Sequence, residues 1–142
     1  MTDVHNAVAL DVGERRIGVA VSDPFGTFSL PYDTIERTNI RTDIARIVAI
    51  AGERGAGTIV VGDPLTLAGE RGVASKNMDA FIAHLARAYN GVIERVDERL
   101  TTAAVQKSLI GADVSRKKRK AVVDKLAAAL ILDTWLARRR NG

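Results

Sequence analysis

Three carboxylates in this chain occupy positions where apolar residues would be expected. Asp11 lies within Val8-Ala9-Leu10-Asp11-Val12-Gly13, and a carboxylate inside an apolar strand is disfavoured by propensity and by desolvation. Glu98 follows Val92, Glu94 and Val96 at period two, on a partly apolar face just ahead of Thr101-Thr102. Asp124 shares a helical face with Ala127, Ala128, Ile131 and Trp135, at offsets of three, four, seven and eleven. Each has an ordinary reading as well. Asp11 could be a strand end reaching solvent, Glu98 a charge favoured near a helix N-terminus, and Asp124 one half of a salt bridge. Asp133 points away from the Asp124 face. The chain has no cysteine and only His5 and His84, which excludes thiol nucleophiles, zinc ribbons and histidine-rich metal sites. Three separated carboxylates that meet without such partners suit a hard divalent ion, Mg²⁺ or Mn²⁺. Two such ions about 4 Å apart can activate a water and stabilise the leaving oxygen of a phosphodiester. The substrate expected on these grounds is a polyanion.

The basic residues agree. Arg116-Lys117-Lys118-Arg119-Lys120 is a run of five cations just ahead of Asp124, and Arg15-Arg16 stand beside Asp11. Such runs are often solvated faces, but next to an acidic rim they suit contacts to phosphates. Arg138-Arg139-Arg140 says less, since cations are favoured at any helix C-terminus. The net charge of +4 is modest, and 4% aromatic residues argue against a platform for stacking single strands. Recognition should be mainly of backbone and shape.

The elements that must position these groups are legible from periodicity. Ala7 to Val12 and Ile17 to Ser22, around a turn at Gly13-Glu14-Arg15, read as a hairpin. A third extended stretch, Phe28 to Ile35, follows the Asp23-Pro24-Phe25-Gly26 turn, with Pro31 suggesting an edge or a bulge. Ile40, Ile44, Ile47, Val48 and Ala51 recur at helical spacing. Thr58 to Gly62 reads as a strand buried on both faces, Val73 to Tyr89 as a second helix and Val92 to Asp97 as a fifth strand. A short helix capped by Thr101 or Thr102 ends at Gly111, and a final helix from about Lys118 to Arg138 is apolar nearly all round, which predicts that it is sandwiched. The sum is one α/β domain over residues 1–142, a mixed five-stranded sheet with an antiparallel start and helices on its faces. Ligands of such sheets sit off the carboxyl ends of the parallel strands, where Asp11, Asp63 and Asp97-Glu98 fall. No run approaches the roughly 18 apolar residues needed to cross a bilayer, and no secretory leader is evident, so a cytosolic protein without membrane attachment is expected.

The chain resembles the YqgF (RuvX-type) family of pre-16S rRNA nucleases and Holliday junction resolvase-like proteins. The matching stretches are Leu10-Asp11-Val12-Gly13, Arg16 to Asp23, Val60-Val61-Gly62, Asp97 to Thr102, Ser115 to Lys118 and Val123 to Ala128. The resemblance implies an RNase H-like fold in which Asp11, Glu98 and Asp124 form an acidic metal-binding triad. Gly18 would allow a close backbone approach to substrate or to a neighbouring chain, and Arg99 would orient the acids or touch phosphate. Asp63 departs from the family, which usually has an apolar residue in this Gly-x-Pro loop. A fourth ligand and a simple loop change are both open, and the loop change is the cheaper reading.

The leading expectation is therefore an Mg²⁺- or Mn²⁺-dependent endonuclease. Asp11 would bridge two ions, Glu98 and Asp124 would each complete a coordination shell, and Arg15, Arg16, Arg99, Arg116, Lys117, Lys118, Arg119 and Lys120 would hold nucleic acid. The resemblance implies maturation of the 5′ end of pre-16S rRNA in ribosome biogenesis, with branched DNA as the alternative substrate. A homodimer suits symmetric junction cutting, whereas a monomer suffices for RNA. Two other classes compete. Asp11-x-Gly13 with Gly18 also looks like the first phosphate loop of actin-type ATPases, which need two lobes, and a non-catalytic nucleic-acid or ribosome-assembly module could keep the fold.

Overall fold

Strands β1 (Asp3–Val12) and β2 (Arg16–Ser22) form an antiparallel ladder from Val8 opposite Val21 to Val12 opposite Ile17. The computed structural model describes residues 3–63, 72–97 and 116–141. The turn after β2 is ordered by Asp23, whose carboxylate accepts the Thr27 and Phe28 amides at 2.6 Å each. Strand β3 (Ser29–Glu36) returns antiparallel to β2, and the register slips where Ala20 faces Pro31. Proline has no amide to give the ladder and is confined to edges and bulges. Here it has both, since β3 is the edge of the sheet.

Helix α1 (Ile40–Arg54) starts at Asn39, whose side chain accepts the Thr42 amide, and stops at Gly55, which takes the left-handed φ of 62° that glycine tolerates best. Strand β4 (Ala56–Asp63) then pairs parallel to β1, and after helix α2 (Val73–Ala88) strand β5 (Val92–Asp97) pairs parallel to β4. The order is β3-β2-β1-β4-β5, the mixed five-stranded sheet expected from sequence. Helix α3 (Arg116–Asn141) completes the described elements. It is longer at both ends than expected, so that the whole basic run, and not only Lys118 to Lys120, lies in its first turns. The short helix expected between Thr101 and Gly111 lies outside the described residues.

The strand alternation sorts the interior into two layers. Val8, Leu10, Ile17, Val19, Ile59 and Val61 pack with Ile44, Ile47, Met78, Phe81 and Leu85 of α1 and α2. On the opposite face Ala7, Ala9, Ala20, Val60 and Val96 meet Ala127, Ala128, Ile131, Leu132 and Trp135 of α3. The many alanines on that second face let α3 lie close to the sheet, which is where van der Waals contact is gained. Among the described residues α3 is covered by the sheet on one side, and Leu126 and Leu130 remain half-buried. The second layer of the expected sandwich is not among the described residues.

One polar group lies deep in the first layer. Asp43 is 2% exposed, accepts the Thr38 amide at 3.1 Å and faces Arg37 Nε at 3.6 Å. Arg37 in turn donates to the Gly13 carbonyl at 2.8 Å, which ties the β1–β2 turn to the start of α1. Removing the carboxylate leaves the Thr38 amide without its acceptor and strips Arg37 of the counter-charge beside it. Asp43→Ala should lower the unfolding free energy by about 2 kcal/mol, read as a shift of the urea midpoint at unchanged slope.

Candidate active site

Asp11 sits one residue before the end of β1. Alternation along the strand places it with Ala7 and Ala9, on the face that α3 covers, and it is 4% exposed. Directly opposite in the antiparallel ladder stands Gly18, so any side chain at position 18 would project beside Asp11 on that same face. Helix α3 fills the space. A Cβ built on Gly18 would lie 1.9 Å from the carbonyl oxygen of Asp124 and 2.3 Å from its carbonyl carbon. The backbone of Asp124 thus rests on the cross-strand neighbour of Asp11, so residues from opposite ends of the chain come together at one rim of the sheet. The close approach expected at Gly18 is real, but its partner is the chain's own helix.

The half-buried Asp124 lies on the helix face followed by Ala127, Ala128 and Ile131. Asp133 points elsewhere, as expected, and is exposed, accepting a hydrogen bond from Ser29 Oγ at 2.6 Å. Glu98 and Arg99, expected to complete the cluster, lie outside the described residues. Among the described residues no group of three or more His, Cys, Asp or Glu side chains gathers. Asp11, deeply buried, and Asp124, half-buried, are both carboxylate oxygen donors, a chemistry that fits a hard divalent cation.

Asp63 ends β4 but faces the other way. Its carboxylate pairs with Arg95 at 3.1 Å, and Arg95 also binds Asp79 of α2 at 2.5 Å. Burial works against the Arg95 charge, but Asp79 and Asp63 outweigh it and hold its pKa above the ordinary guanidinium value. Asp63 is therefore a structural acid on the α2 side of the sheet, away from Asp11, and the loop-change reading is the one the geometry supports. Of the two arginines at the β1–β2 turn, Arg15 is exposed, while Arg16 lies 3.8 Å from Glu36 and is mostly covered. Arg116 to Lys120 head α3, and the helical rise puts Arg116 about 12 Å along the axis from Asp124.

Arg37 was not singled out by the sequence. It braces the turn beside Asp11 through the Gly13 carbonyl and through its own amide, which donates to Arg15 O at 2.9 Å. A signal for it exists, because Asp43 interrupts the apolar face of Ile40, Ile44 and Ile47, and a buried acid calls for a basic partner. Gly18 itself supplies the sharpest test of the site's construction. Gly18→Ala must push α3 off β2, so it should cost at least about 1–3 kcal/mol of stability, and its crystal structure should show α3 displaced at Asp124.

A family model described as "RuvX: Holliday junction resolvase" matches residues 5–138. A protein of Desulforudis audaxviator (strain MP104C) named "Putative pre-16S rRNA nuclease" is 42% identical over 135 residues, covering 95% of this chain and 96% of that one. One of the same name from Nitrobacter hamburgensis (strain DSM 10229 / NCIMB 13809 / X14) is 44% identical over 131 residues, covering 92% of this chain and 80% of its own. Among solved structures, T. thermophilus RuvC in complex with a Holliday junction substrate superposes with a TM-score of 0.59 at 12% identity, covering 94% of this chain and 95% of that one. That likeness establishes the RNase H-like fold, and the sequence matches establish kinship over nearly the whole length: this chain belongs to the RuvX family.

Proposed function

We propose that this protein is a divalent-metal-dependent endonuclease that processes the 5′ end of pre-16S rRNA in the cytoplasm. The observation that carries the proposal is the seating of the Asp124 backbone on Gly18, the residue that stands opposite the buried Asp11 in the sheet. The names of the relatives support the substrate. The described helices include none long and apolar enough to cross a membrane.

In this reading Asp11, Glu98 and Asp124 hold the metal, and Mg²⁺ or Mn²⁺ both suit three carboxylates. A bound divalent ion supplies Lewis-acid stabilisation of the charge that develops on the phosphoryl oxygens, and it makes water a competent nucleophile at neutral pH. The chain's own contribution is placement. The sheet fixes Asp11, the contact at Gly18 fixes the backbone of Asp124, and the low exposure of Asp11 keeps competing water away. Arg15, Arg16, Arg99 and Arg116 to Lys120 receive the nucleic-acid backbone. Five cations at the start of α3 oppose the partial positive charge of a helix N-terminus, and no acid in the first turn relieves them. A phosphate chain would.

The description of the family favours a second substrate, the four-way DNA junction. Symmetric resolution of such a junction needs a two-fold dimer, whereas RNA trimming proceeds with a monomer. Cleavage of a 16S precursor carrying its 5′ leader, run beside a four-way junction with Mn²⁺ or Mg²⁺, distinguishes them. Asp11→Asn should lower cleavage by at least about a hundredfold, since even residues that only orient metal ligands are worth 10–100-fold, and chelation by EDTA should do the same. Retained binding with no cleavage by the wild type would instead identify a non-catalytic assembly module. For the basic run, Lys117→Ala with Lys120→Ala should flatten the dependence of log affinity on log salt by about 1.4 for single-stranded RNA, two phosphate contacts' worth.

A further inference from the structure

The end of β1 has two sides, and Asp11 occupies one. Val12 follows Asp11 and projects to the opposite face of the sheet, where a cleft of about 200 Å³ is lined by Val12, Gly13, Glu14, Arg37, Asn77, Met78 and Phe81. We propose that this cleft receives one unstacked nucleobase of the bound RNA strand, the one next to the phosphate to be cut, and that it favours a base with an exocyclic amino group. The inference rests on the nuclease reading for its substrate class.

Four observations carry it. The cleft is smaller than the usual 300–1,000 Å³ of a ligand pocket, so it suits a single flat ring system. Its floor is apolar, from Val12, Met78 and Phe81, as base stacking requires. Arg37 presents a fixed planar group, because the edge of its guanidinium is engaged by Gly13 O at 2.8 Å and by Asp43 at 3.6 Å while Phe81 lies 5.7 Å beneath it. Arginine planes held in this way are surfaces on which unstacked bases settle. The polar rim then selects a base over a phosphate. The Arg37 charge is already balanced by Asp43, and the exposed Glu14 repels an anion yet accepts from an amino group, while the exposed Asn77 offers both a donor and an acceptor.

The test uses the full chain with Ca²⁺ in place of Mg²⁺ or Mn²⁺, so that binding is read without cleavage. Leader RNA carrying 2-aminopurine at successive positions is titrated with the protein, because this base fluoresces more strongly once unstacked. The expected result is a rise at one position and at no other, an affinity loss of about tenfold when that position is made abasic, and disappearance of the rise in Glu14→Ala and Asn77→Leu with the salt dependence of binding unchanged. Both substituted residues are exposed, so the fold should tolerate the changes. An equal rise at every position, or a rise that survives both substitutions, would overturn the assignment. Failure of the nuclease reading looks different: the localised rise persists, but Mn²⁺ yields no cleavage.

Discussion

A missing side chain sets the geometry of this protein. Gly18 lies opposite Asp11 in the β1–β2 ladder, and the Asp124 carbonyl occupies the space that a methyl group would take. Close packing makes that contact unforgiving, since an interior at crystal-like density has no slack with which to absorb one more carbon. The alanines at 7, 9 and 20 extend the same accommodation along the sheet, where they pack against the apolar face of α3. Everything proposed for the acidic rim follows from that seating.

The sheet also keeps unlike chemistry apart. Period-two alternation sends Asp11 toward α3, and the Arg95 pairing holds Asp63 toward α2, although both acids close strands that lie side by side. The Asp63 carboxylate is engaged by Arg95, which also holds α2 through Asp79. The Asp43–Arg37 pair does comparable work at the hairpin turn. Buried or half-buried ion pairs add little net stability compared with apolar packing, but here they fix the position of a turn and of a helix around the strand end where the chemistry is proposed.

Much of this was legible in the sequence because it depends on period. The apolar alternation of the hairpin, the helical recurrence of Ile40, Ile44 and Ile47, and the uninterrupted Thr58 to Gly62 run each map onto the elements found, and Pro31 announced both the edge and the bulge. The acids stood out because a carboxylate on an apolar stripe is costly wherever it folds. What could not be read was set by three-dimensional neighbours. The role of Gly18 requires knowing which backbone crosses it, and the face of Asp63 requires knowing that Arg95 stands on the adjacent strand. The bracing role of Arg37 depends on Gly13, a residue of another element, although the buried Asp43 already calls for a basic partner. The start of α3 lies two residues ahead of the expected Lys118, because a run of like charges carries no apolar periodicity to mark where a helix begins.

The central claim is that Asp11 and Asp124 share one divalent-cation site. Titration calorimetry with Mn²⁺, comparing the wild type with Asp11→Asn and Asp124→Asn, tests it most directly. Loss of the heat of binding in each single variant, with the far-ultraviolet circular dichroism unchanged, is the result this structure predicts. Undiminished binding in either folded variant would contradict it.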